Sequence, residues 1–234
     1  MFRMTPDALR QAEREARDEA APFAVLAALA LIALALTSMH ADWRLFGGAA
    51  WWVWLVAAAS FAILSLTLLA GLGRDRSSEH RRALMTAVLG LVVAVNLFEI
   101  GLLVTSLVVG SALSISGPQL LHSATTLWFS NVIAFGLAFW ELDCGGPVRR
   151  ALADARRGPD FQFPQDENPQ LARPGWTPHL LDYVYISVTN SVAFSPTDAM
   201  PLSRPAKVLM AIESAVSVIA LVLITARAVN ILQL

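Results

Sequence analysis

A few carboxylates, amides and hydroxyls stand inside otherwise apolar runs of this sequence, where a polar group is costly enough to imply a task. Asn96 and Glu99 are three residues apart and share one face of a helix. Such a pair suits a proton or cation relay, or an interhelical hydrogen-bond pair, which is the commoner use. Glu213 precedes Ser217 by one turn in the last apolar run and reads as structural, a bond to the short helix ahead of it or to a neighbouring subunit, and Asn131 lies in the fourth run, where a helix-packing contact is expected. Glu141 and Asp143 stand at a helix end, where an interfacial carboxylate is expected, and Asp182 is expected to cap or to pair with Arg173. The second concentration of chemistry is the stretch Ala193-Phe194-Ser195-Pro196-Thr197-Asp198, preceded by Thr189 and Asn190. Gathered around an axis in several copies, the hydroxyls of Ser195 and Thr197 and the carboxylate of Asp198 make a polar ring with an acidic collar. Ser-Pro-Thr-Asp is also a good turn, with Asp198 capping the chain before the next helix. Both readings stay open. Asn190 fits a hydrogen bond that ties this loop to its helix.

Enzyme signatures are absent. The four histidines, His40, His80, His122 and His179, are scattered without metal-ligand spacing, and no nucleophile elbow, P-loop or dinucleotide glycine pattern occurs. The single Cys144 excludes an internal disulfide and a cysteine metal cage. A net charge of −1 without a basic stripe gives no sign of nucleic acid, and no cofactor is expected.

The elements that must hold these residues are membrane helices. Of the 234 residues 56% are hydrophobic and 15% charged, with mean hydropathy +0.57, so a lipid bilayer is the expected solvent. A bilayer core of about 30 Å needs roughly 20 helical residues. Five runs reach or approach that length: 22–39, 49–72, 83–109, 119–142 and 206–232. Trp43, Trp51, Trp52, Trp54 and Trp140 cluster near their ends as an aromatic belt. The expected fold is all-α, a multi-pass cell-membrane protein. Residues 1–21 read as an amphipathic segment and 22–118 as a three-helix region. The remainder, 119–234, reads as an outer helix to 142, a polar connection over 143–178, a short helix with its loop over 179–201, and an inner helix over 202–232. His179–Val192 is apolar but too short to span, so it fits a re-entrant helix, and Pro196 cannot continue it. The charged start ahead of the first apolar run argues against a cleaved signal peptide.

The run from Tyr185 to Asn230 resembles the pore-loop and inner-helix half of bacterial potassium channels. Tyr185, Ser187, Asp198, Pro201, Lys207, Glu213 and the Ala226-Arg227-Ala228-Val229 tail keep that family's frame. Ala193 to Thr197 fall where the filter T-V-G-Y-G would stand, and Ser217 takes the hinge-glycine position. The resemblance implies a homotetramer around a path for monovalent cations. A potassium filter aims backbone carbonyls at the ion and needs glycine where backbone angles penalise a Cβ. Ser195, Pro196 and Thr197 deny it that column, so weak selectivity is expected, or else a non-conducting scaffold that keeps the pore-loop fold. The frames Phe161–Pro164, Asp182–Thr189, Phe194–Asp198 and Ala228–Ile231 are also similar to uncharacterised bacterial integral-membrane proteins with a degenerate pore loop. Potassium-channel topology puts the loop outside the cell. The distribution of arginines favours a cytoplasmic N-terminus and a cytoplasmic loop.

Overall fold

The structure, a computed structural model, describes residues 6–45, 48–49, 51–69, 78–108, 117–151, 158–170, 172–193 and 198–232. Phe194, Ser195, Pro196 and Thr197 therefore lie outside the described residues. The fold is all-α, with two two-stranded ladders. Helix α1 (Pro6–His40) leads through a ladder of β1 (Arg44–Leu45) and β2 (Gly48–Ala49) into α2 (Trp51–Leu69). Helices α3 (Ser78–Val108) and α4 (Gly117–Leu142) follow. After a 3-10 turn at Asp143–Gly145 come α5 (Pro147–Ala151), β3 (Phe161–Gln162), α6 (Pro164–Glu167), α7 (Leu180–Ala193), β4 (Met200–Pro201) and α8 (Arg204–Leu232).

Among the described residues three helices are long and apolar enough to cross a membrane, within Arg10–His40, Trp51–Leu69 and Ala83–Leu102. The 1–21 segment is no separate element from residue 6 onward, because α1 runs unbroken through Pro22. Proline removes one backbone donor and frees the carbonyl four residues back, at Asp18. Asp18 is exposed, so solvent can take that carbonyl.

Contacts at the helix ends order the bundle. The carboxylate of Glu19 on α1 accepts from the backbone N–H of Leu180, the first residue of α7. At the opposite end the rings of Trp43 and His122 lie 6.1 Å apart, joining the exit of α1 to the start of α4. Helix α4 therefore runs opposite to α1, and Ser130 bonding Asn96 joins it to α3. The start of α1, the end of α4 and the starts of α7 and α8 share one end of the bundle.

Helix α7 descends along α4 from that end. Tyr183 meets Asp143, Val184 packs on Gly136, and Ser187 meets the Val132 carbonyl, so α7 follows α4 in the reverse direction. A Cβ on Gly136 would lie 2.9 Å from Val184 Cα, so only glycine permits this approach. With 14 residues, α7 is about 21 Å long and stops partway down α4. The chain then returns: β4 pairs antiparallel with β3, and Leu202 N–H donates to the Asp160 carbonyl at 2.8 Å. Helix α8 starts there and packs on α4, α7 and α3.

Candidate functional site

Helix α7, which leads into the loop that sequence singled out, is held by two buried polar nodes. The deeper joins α7 to α8. Glu213 is fully buried. Its Oε1 accepts from Ser187 Oγ and its Oε2 from Asn190 Nδ2 at 2.7 Å. The second amide proton of Asn190 reaches the Met210 carbonyl at 3.0 Å, and Ser214 Oγ donates to Asn190 Oδ1 at 2.9 Å. Ser187 Oγ also lies 3.0 Å from the Val132 carbonyl on α4. One carboxylate thus locks the loop-bearing helix to the helices on both sides. Asn190, expected to tie the loop to its helix, instead spends its described bonds on joining that helix to α8. Thr189 spends its hydroxyl on the Tyr185 and Ile186 carbonyls of its own helix, which leaves it no described role towards an ion. Ala193 ends α7 and is exposed, as is Asp198 where the chain reappears. Asp198 borders a cavity of about 70 Å³ with Phe163, Gln165, Asp182 and Tyr185 among its walls.

The shallower node is one the sequence reading missed. It treated Asp143 as an interfacial carboxylate at a helix end, yet Asp143 is 2% exposed and accepts four bonds from nitrogen and oxygen donors, besides a longer one from the Cys144 thiol at 3.7 Å. Its Oδ1 takes the backbone N–H groups of Asp160 at 2.7 Å and Phe161 at 3.2 Å. Its Oδ2 takes the Tyr183 hydroxyl at 2.5 Å and Arg150 Nη1 at 3.4 Å. The guanidinium of Arg150 sits 5.1 Å above the Tyr183 ring and also reaches the Asp143 carbonyl at 3.1 Å. Around it Phe161 and Phe163 meet the Tyr183 ring edge-on, with Phe139 against Phe161 and Trp176 against Phe163. The signal in the sequence was the run Cys144-Gly145-Gly146, which takes left-handed backbone angles at all three positions (φ 54°, 82° and 104°). That reversal turns Asp143 inward and brings Arg150 back over it. Burial, then the charge of Asp143, push the Cys144 thiol up to about 11. Asp182, expected to cap or to pair with Arg173, caps: it accepts the His179 N–H at 2.7 Å.

Inside the helices the expected Asn96 and Glu99 pair divides. Asn96 donates to the Val92 carbonyl at 3.0 Å and accepts from Ser130 Oγ at 2.7 Å, which is an interhelical bond. Glu99, 1% exposed, has no hydrogen bond to either carboxylate oxygen among the described residues. Asn131 and Ser217 are buried, with Asn131 Oδ1 and Ser217 Oγ likewise unpartnered. No cluster of three or more metal-binding side chains occurs among the described residues. Comparison with protein families, curated proteins and solved structures finds no match to this chain.

Proposed function

We propose that this chain is a channel-like integral membrane protein in which α1, α2, α3, α4 and α8 span the bilayer and α7 with its loop is re-entrant. In this reading four copies gather their loops around a weakly selective path for monovalent cations. The observation that carries it is the course of α7: it descends about 21 Å against a core of about 30 Å, and the chain returns to the end from which it started. Helices α4 and α8, with 26 and 29 residues, are long enough to cross. The Glu213 node supports the base of such a loop from behind.

Every Lys and Arg except Arg44 and Arg227 belongs to the end of the bundle where α7 begins, or to the segments that connect there. Positive charge is retained on the cytoplasmic side, so the loop opens towards the cytoplasm, the inverse of a potassium channel. With Ser195, Pro196 and Thr197 at the turn, hydroxyls and the Asp198 carboxylate line the path in place of a carbonyl column. The non-conducting scaffold is the second reading, favoured by Pro196 at the turn.

Cation flux into liposomes containing the purified full chain separates the two. A pore passes potassium and sodium at rates within about tenfold of each other, and Asp198→Ala lowers both as a cation-attracting charge is lost. Folded tetramer that carries no current in either orientation, or flux indifferent to Asp198→Ala and Pro196→Ala, refutes the pore.

A further inference from the structure

Eight polar side chains, each no more than 3% exposed, carry a polar atom without a hydrogen bond among the described residues. Trp140 and Asp160 belong to the surroundings of Asp143. The other six are Ser38 on α1, Trp54 on α2, Glu99 on α3, Ser123 and Asn131 on α4, and Ser217 on α8. They lie in or beside one apolar cluster, spread over about 12 Å along α4 from Ser123 to Asn131. Leu34 and Ala35 (one turn from Ser38), Trp54 itself, Ile100 (next to Glu99), Ala124 (next to Ser123) and Leu127 (one turn from Asn131) form that cluster. Val216, next to Ser217, packs against it. Protein interiors pair nearly all buried polar groups, so a carboxylate orphaned at both oxygens with other orphans near it marks a missing polar occupant, water or an ion.

Glu99 decides its charge. Its carboxylate lies against the α2 backbone at Ala57, and an isolated carboxylate there must be neutralised. The helices packed on α3 do not supply the counter-charge. Helix α2 has no titratable side chain, and α4 has His122 and Glu141 near its two ends. Helix α8 brings Glu213, already held by Ser187 and Asn190, with Arg204 and Lys207 in its first turn and Arg227 near its last. Helix α3 itself places Glu79, His80, Arg81 and Arg82 in its first turns, about five turns before Glu99.

We propose that Glu99, with Asn131 Oδ1 and the hydroxyl of Ser217, forms an intramembrane site for a monovalent cation in competition with a proton. All the donors are oxygen, which suits a hard cation. A single carboxylate matches a single positive charge, whereas a divalent ion would leave an uncompensated charge in the core. The exchange balances: the cation enters, the Glu99 carboxyl loses its proton, and the proton leaves. Water held with the ion completes the bonds of Trp54 Nε1 and Ser38. None of these residues lies on α7 or the loop, so the site stands or falls independently of the pore.

Infrared difference spectroscopy of the full chain in lipid nanodiscs tests it, with choline chloride exchanged for sodium chloride at constant pH and ionic strength. Sodium should remove one protonated-carboxyl band and add a carboxylate band, and both changes should vanish in Glu99→Gln. The sodium concentration for half effect should rise about tenfold for each pH unit lowered while the carboxyl is protonated. Asn131→Ala, which leaves the carboxyl in place, should raise it at least about tenfold. If Glu99→Gln does not fold, Glu99→Asp supplies the assignment by shifting the band. A Glu99 band that sodium, lithium and potassium all leave unchanged overturns the proposal, as does sodium sensitivity that survives Glu99→Gln.

Discussion

Gly136→Ala is the sharpest test of the packing that aims the loop. The new Cβ would sit 2.9 Å from both Cα and Cγ2 of Val184 and 3.3 Å from its backbone nitrogen. Ordinary contact begins near 3.4 Å, so α7 must lift from α4 by about 0.5 Å. The side-chain clash can be relieved by rotating Val184, but the backbone clash cannot. A lift of that size stretches the contact of Ser187 with Val132 from 3.0 Å to about 3.5 Å, the outer edge of a hydrogen bond. Overpacking costs about 1–3 kcal/mol and the weakened bond about 1, so a loss of about 2–4 kcal/mol is expected. In thermal unfolding of the detergent-solubilised chain this corresponds to a midpoint roughly 5–15 °C lower. Adding Val184→Ala should restore only part of it, because the clash with the α7 backbone remains. Gly90→Ala and Gly101→Ala, where a Cβ meets nothing within 4 Å, are the controls and should be neutral or stabilising by up to about 1 kcal/mol. A neutral Gly136→Ala beside neutral controls would refute the close approach of α7 to α4.

Two further outcomes follow from the same geometry. Asp143→Asn leaves Arg150 buried without its partner and turns an amide donor towards N–H groups; it should cost about 3–5 kcal/mol, against about 1–3 for Tyr183→Phe, measured by the same unfolding assay. The Cys144 thiolate is disfavoured by burial and by Asp143, so alkylation in the parent chain should rise with pH towards a midpoint near 11, and should run about a hundredfold slower at pH 8 than for an ordinary thiol. Removing the charge in Asp143→Asn should move that midpoint down; an unchanged profile in folded protein would count against the contact. In a Cys144→Ser background, a membrane-impermeant maleimide applied to intact cells should label Ala41→Cys and spare Glu167→Cys, and the reverse pattern would place the loop outside the cell.

Hydropathy alone determined that the chain is helical and apolar enough for a membrane, because long runs without charge leave few other ways to satisfy the backbone. It also marked the start of α7 and its end before Pro196 to within a residue, since proline and helix caps act locally. The roles of Asn190 and Glu213 were legible as tethers, but their partners were not: Ser187, Met210 and Ser214 are brought to them only by α7 lying against α8. Asp143 was misread, because the left-handed reversal over Cys144, Gly145 and Gly146 turns a helix-end carboxylate from the surface into the centre of a four-bond node. Relay and interhelical pair both stayed open for Asn96 and Glu99, because spacing on one helix says which residues share a face but not what faces them. Ser130 meets Asn96, whereas Glu99 turns to the α2 backbone at Ala57. That difference belongs to the register between α3 and α4, which is set by long-range packing and written in no local stretch of the chain.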